Sequence, residues 1–285
     1  MDARFRRLLI NGTVNLSLLA SKSPGKDVQG ILRRLVAGVA KDIDGLPARA
    51  EDRVHDIRVR MKKFRAVLRL AEPALKRREF EKSDKLARNL KDHFGSVRDD
   101  DVQAELLLDL LDKPEALAAA ATMGLQCRNA GRVPDAAPAR KTCSALALQV
   151  DRFHLEALTG DDVSKSWLLS YRSSRRAMRD CRKEAADDAV FHEWRKRVKE
   201  LLYQSTTIGS PLDKLVLKAD RLASVLGSHH DLSILTARLA GCLAGSEAER
   251  AALSKKKLVA RRALAMGRKL FAKKTSAIHR KPEPL

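Results

Sequence analysis

Aromatic residues are scarce: 2 Trp, 2 Tyr and 7 Phe in 285 residues. That poverty argues against a surface built to stack nucleic-acid bases. It also argues against a sheet-rich fold, which draws on more Val, Ile, Tyr and Phe. Cysteine is equally thin. Cys127, Cys143, Cys181 and Cys242 are far apart and form no Cys-x-x-Cys pair. They read as small buried hydrophobes of a reducing compartment, and a cytoplasmic location is expected. No apolar run approaches the ~18–20 residues needed to cross a bilayer. Asn11, Gly12, Thr13, Asn15 and Ser17 interrupt the stretch after Arg4, Arg6 and Arg7, which argues against a signal peptide. There is also no glycine-rich phosphate loop, no His-Glu-x-x-His and no acidic metal-binding strand. No cofactor, metal or catalytic residue is therefore expected.

What is present is charge and helix-forming residues. Charged side chains make up 33% of the chain, and Leu, Ala, Arg and Lys recur throughout. Straight-chain residues lose little rotamer freedom in a helix, so an all-α fold is expected. The 57 Lys and Arg outnumber the 36 Asp and Glu, giving a net charge of +21. Such a field repels itself and favours a polyanionic partner. Nucleic acid, an anionic membrane and free polyphosphate all fit that charge.

Periodicity predicts helices over 28–43, 51–71, 80–97, 99–111, 115–128, 141–158, 163–185, 188–208, 212–227, 231–243 and 247–274. Residues 1–25, ending in Ser23-Pro24-Gly25, read as poorly ordered, and 282–285 as a frayed tail.

Internal repetition is the most informative feature. Val54-His55-Asp56-Ile57-Arg58-Val59-Arg60-Met61-Lys62 recurs as Phe191-His192-Glu193-Trp194-Arg195-Lys196-Arg197-Val198-Lys199, 137 residues later. Phe94-Gly95-Ser96-Val97-Arg98-Asp99 recurs as Leu226-Gly227-Ser228-His229-His230-Asp231, 132 residues later. Two motifs in the same order at nearly one separation imply a duplicated half, one over 26–160 and one over 161–281. The expected architecture is two helical bundles related by a pseudo-twofold axis.

On a helical wheel, His55, Arg58, Lys62, Arg65 and Arg69 fall within an arc of roughly 80°. Val54, Ile57, Met61, Phe64 and Leu68 form a separate apolar stripe. His192, Arg195 and Lys199 repeat the polar stripe, with Lys196 beside them and Tyr203 joining; Phe191, Trp194, Val198 and Leu201 repeat the apolar one. A charge row is usually a solvated face. Keeping it twice, against like-charge repulsion of ~0.2–0.5 kcal/mol per pair, points instead to a ligand that neutralises it. Arg172, Arg175, Arg176 and Arg179 precede the second motif, as Arg33 and Arg34 precede the first. The last helix adds Lys255, Lys256, Lys257, Arg261, Arg262, Arg268 and Lys269.

These motifs resemble the signature helices of the CHAD family, named for conserved histidines in an α-helical domain, over residues 28 to 280. The resemblance implies two four-helix-type bundles flanking a basic central groove or pore that binds inorganic polyphosphate. It also implies an association with polyphosphate granules or polyphosphate-metabolising enzymes. Carried over by position, the phosphate contacts are His55, Arg58, Lys62, Arg65, His192, Arg195 and Lys199. Arg69, Arg172, Arg175, Arg176, Arg179, Lys196 and Arg262 extend the expected site. Glu200 and Leu202 stand where the first half has Lys63 and Arg65, so unequal halves are expected.

Arg offers a fixed fork of donors to phosphate oxygens and Lys a mobile point charge. The histidines can serve as protonated partners or as single donors. Two rivals come from other classes. Nucleic-acid binding lacks stacking residues and any recognisable motif. A metal or phosphohistidine enzyme could draw on His229, His230 and Asp231. Asp231 reads more simply as the cap of a helix after a turn at Gly227.

Overall fold

The computed structural model describes residues 18–94, 99–125, 135–183, 187–210 and 212–272. Among them are ten α-helices and no strand. The helices are α1 (Pro24–Asp44), α2 (Ala50–Leu70), α3 (Arg77–His93), α4 (Asp99–Leu110) and α5 (Lys113–Thr122). They continue as α6 (Ala136–Asp151), α7 (Gly160–Lys183), α8 (Asp188–Ile208), α9 (Asp213–Cys242) and α10 (Glu247–Leu270).

Packing arranges eight of these helices into two closed rings. In the first, α1 packs on α2, α2 on α3, α3 on α6, and α6 back on α1. In the second, α7 packs on α8, α8 on α9, α9 on α10, and α10 on α7. The remaining pair, α4 and α5, pack on each other and lean on α9 and α10. They bury Leu107, Ala116, Leu235 and Leu239 in a small satellite core.

The two rings meet chiefly where α2 packs on α8, the two helices bearing the repeated histidine motif. Their apolar stripes explain why. Ile57, Met61, Phe64 and Leu68 of α2 are fully buried, as are Trp194, Val198 and Leu201 of α8. One apolar cluster contains these residues together with others from both rings. Burial at ~25 cal/mol per Å2 of apolar surface fixes both helices with their polar stripes on the remaining faces. Across the junction the Gln204 side chain donates to the Ala66 carbonyl at 3.1 Å.

Three expectations are corrected. Residues 18–25 are ordered: Leu18–Ala20 is a 3-10 turn with Leu18 buried, and Pro24 already begins α1. The rest of 1–25, and the tail 282–285, lie outside the described residues. The helices expected over 212–227 and 231–243 are one continuous helix, α9, so Asp231 is not an N-cap. A glycine at 227 costs about 1 kcal/mol relative to alanine. Leu222 and Leu226 before it, and His229, Leu232 and Leu235 after it, all continue the buried face and carry the helix through. Finally, α3 ends at His93 rather than Val97, and residues 95–98 of the first Gly-Ser motif lie outside the described residues.

Candidate functional site

On α2 and α8 the polar stripes converge at the ring junction. Lys62 stands among Lys199, Arg195, Arg58 and Lys91, and is half-buried. Burial first, and then those cations, push its pKa from 10.5 down to about 7. Burial likewise lowers Lys199 to about 8; Arg195 adds to the effect, while Asp231 and Asp220 oppose it. Neither lysine forms a hydrogen bond or ion pair with any described residue. Two ammonium groups from different rings thus lie within range of each other's charge, and among the described residues Asp231 and Asp220 act on Lys199 without forming an ion pair.

Arg195 has the same character. Burial lowers even its pKa, against the pull of Asp231 and Tyr203. Its Nε is buried and has no hydrogen-bond partner. A buried donor left unpaired costs about 1–3 kcal/mol, more for a charged group. Arg58, its counterpart on α2, donates from Nη1 to the Phe94 carbonyl at 3.2 Å. Tyr203, expected beside the polar stripe, is buried; burial raises its hydroxyl to about 12.

The two sequence motifs meet within each half. In the first, Arg58 touches the backbone of Phe94, which opens the Gly-Ser segment. In the second, the His192 and His230 rings face each other, Nδ1 to Nδ1 at 3.2 Å, so one ring donates and the other accepts. Burial first, then His230 and the nearby cations, push His192 down to about 4. His192 is therefore neutral at pH 7 and acts through a hydrogen bond. His229 is buried and stacks on Phe191 with ring centroids 4.2 Å apart, a packing role. His55 is half-buried on the same face of α2 as Arg58.

The remaining expected residues are dispersed. Arg65 is gripped by Asp84, with Nε to Oδ1 at 2.6 Å and Nη2 to Oδ2 at 3.1 Å. Arg69 reaches across the junction to Glu200 at 3.5 Å. These two hold the fold together with the protein's own carboxylates. Lys196 is exposed and lies 3.4 Å from Glu193. On α7, Arg172, Arg176 and Arg179 are exposed and Arg175 is half-buried beside Tyr171. Arg262 is exposed on α10 and pairs with no described acid.

Sequence reasoning missed Lys91 and Asp220. Lys91 has Ala223 as its counterpart at the repeat offset, and Asp220 has Arg88, so neither registers as a repeated position. Among the described residues no group of three or more His, Cys, Asp or Glu is placed to hold a metal ion. No described helix is long and apolar enough to cross a membrane. A separate cavity of about 440 Å3 lies between α1 and α6, outside the junction.

The CHAD domain model matches residues 30–240. Among solved structures, PptA from Streptomyces chartreusis is similar in fold, with a TM-score of 0.52 at 17% identity. The match covers 88% of this chain and 98% of that one. No curated protein matches in sequence.

Proposed function

The chain belongs to the CHAD family, and on that premise we propose that it binds inorganic polyphosphate, without catalysis, in the recess between α2 and α8. One observation carries this reading: Lys62 and Lys199, on facing helices of different rings, are both half-buried and form no ion pair with a described carboxylate. A folded protein retains such an arrangement only at a cost, because burial and mutual repulsion both disfavour the charged forms. A linear phosphate chain relieves both. It brings about one negative charge per unit and has no base that needs an aromatic platform. Arg58 and Arg195 supply fixed donor forks beside the lysines, and the buried Arg195 Nε gains the acceptor it lacks. His55 and the neutral His192 each add a hydrogen bond.

The test is a double variant, Lys62→Met with Lys199→Met. Removing half-buried cations that lack a described acid should raise the melting temperature of the free protein while weakening polyphosphate binding at least tenfold. A purely structural role for the lysines predicts the reverse, a lower melting temperature with unchanged affinity. Competition by duplex DNA at equal phosphate concentration should be weak, and no phosphate should be released on incubation with or without divalent metal.

A further inference from the structure

The cations left outside the recess form a second surface. α7 and α10 are neighbours in the second ring, and Tyr171 binds them by its hydroxyl on the Leu270 carbonyl and its ring on Phe271. Arg172, Arg176 and Arg179 project from the exposed side of α7, opposite the buried Val163, Ser174 and Cys181. Arg261, Arg262 and Arg268 project from the exposed side of α10. Between Glu249 and Leu270, α10 carries no acid at all. None of these six arginines pairs with a described residue.

The corresponding face of the first ring, between α1 and α6, is largely neutralised by the protein's own acids. There Arg33 pairs with Asp151 at 2.7 Å and Arg140 with Asp44 at 2.9 Å, each across the helix pair. The two halves share a ring order, but of the three arginines on α1 and α6 the first leaves only the exposed Arg34 without a described acid, whereas the second leaves these six. Six like charges on adjacent helices repel unless a polyanion covers them, and guanidinium groups suit phosphate oxygens.

We propose that the outer α7–α10 face is a second polyphosphate site, independent of the recess, so that one protein molecule holds two phosphate segments. This extends the polyphosphate reading of the recess. α7 packs on α8 and α2, yet its arginines project from the side opposite Ser174, whose hydroxyl donates to the Arg197 carbonyl of α8 at 2.8 Å, so a helix diameter of about 10 Å separates them from α8. A short chain cannot serve both places. A long chain can wrap round a ring, or two chains can be joined through one protein. The outer site is open to solvent, so its affinity should fall more steeply with salt than that of the recess.

Calorimetry on the full chain tests this, with short and long polyphosphate as probes. Short polyphosphate should bind at two equivalents, one of them accompanied by proton uptake from the lysine recess. The variant Arg172→Gln, Arg176→Gln, Arg179→Gln, Arg261→Gln, Arg262→Gln should lose the salt-sensitive equivalent and keep the proton-linked one. Light scattering from mixtures with long polyphosphate should fall at least tenfold in the same variant. A wild type that saturates at one proton-linked equivalent, or a variant that retains both equivalents, would overturn the proposal. So would loss of binding to phosphatidylserine vesicles with no change toward polyphosphate. Failure of the recess reading looks different: one equivalent, without proton uptake, abolished by the arginine substitutions.

Discussion

Binding should be coupled to proton uptake, and the recess sets its size. In the free protein Lys62 titrates at about 7 and Lys199 at about 8. At pH 8 Lys62 is then about nine-tenths neutral and Lys199 about half neutral, so holding both charged against phosphate takes up about 1.4 protons. At pH 6 both are already charged and uptake falls to about 0.1. Affinity follows from the same populations. Raising the pH from 6 to 8 should weaken binding by about 20-fold, by a factor of about 10 from Lys62 and about 2 from Lys199. Stability of the free protein runs the other way. The folded pKa of each lysine lies below its unfolded value near 10.4, so the unfolded chain binds more protons across that interval. Stability contributed by these groups therefore rises with pH from about 7 to about 10 while affinity falls. Calorimetry in buffers of different ionisation enthalpy measures the protons directly, and thermal melts of the free protein measure the second trend. Affinity that does not change between pH 6 and 8, with no buffer dependence, would refute the placement of these lysines against the ligand.

Two further outcomes concern the scaffold. Asp84 is flanked by Arg65 and Arg88; burial works against its charge, and the two guanidinium hydrogen bonds overcome it and lower its pKa. Asp84→Ala strands the largely buried Arg65 and should cost about 2 kcal/mol, read as a lower urea midpoint with unchanged slope. The wild-type contribution of Asp84 should be present above about pH 4 and be lost as pH falls through its lowered pKa. Gly267→Ala, normally a gain of about 1 kcal/mol inside a helix, should instead destabilise the fold by about 1–3 kcal/mol. Its Cβ would lie 2.7 Å from Trp194 and 2.9 Å from the Met178 sulfur, and a raised melting temperature would contradict that packing.

The helical class and the pairing of the two motif helices were legible because each carries an apolar and a cationic stripe at one period. Every apolar residue expected on them, from Val54 to Leu68 and from Phe191 to Leu201, is buried. A wheel records angle but not depth along the bundle. Arg65 and Arg69 share the arc of Lys62, yet lie where Asp84 and Glu200 reach them from other helices. Those partners are distant in sequence, and nothing in the local pattern announces them. Gly227 misled for a related reason: it is a breaker by propensity, while the leucines on either side belong to one buried face. Lys91 stayed hidden because only one half carries it, and repetition reveals shared features alone.

The apolar cluster that runs without interruption through both rings has a mechanical consequence. Halves joined by Phe64, Trp194 and Leu201, and stitched by Gln204 to Ala66, cannot part like jaws. The backbones that carry Lys62 and Lys199 are thus held at a set spacing by the shared core. Little ordering entropy remains to be lost on association.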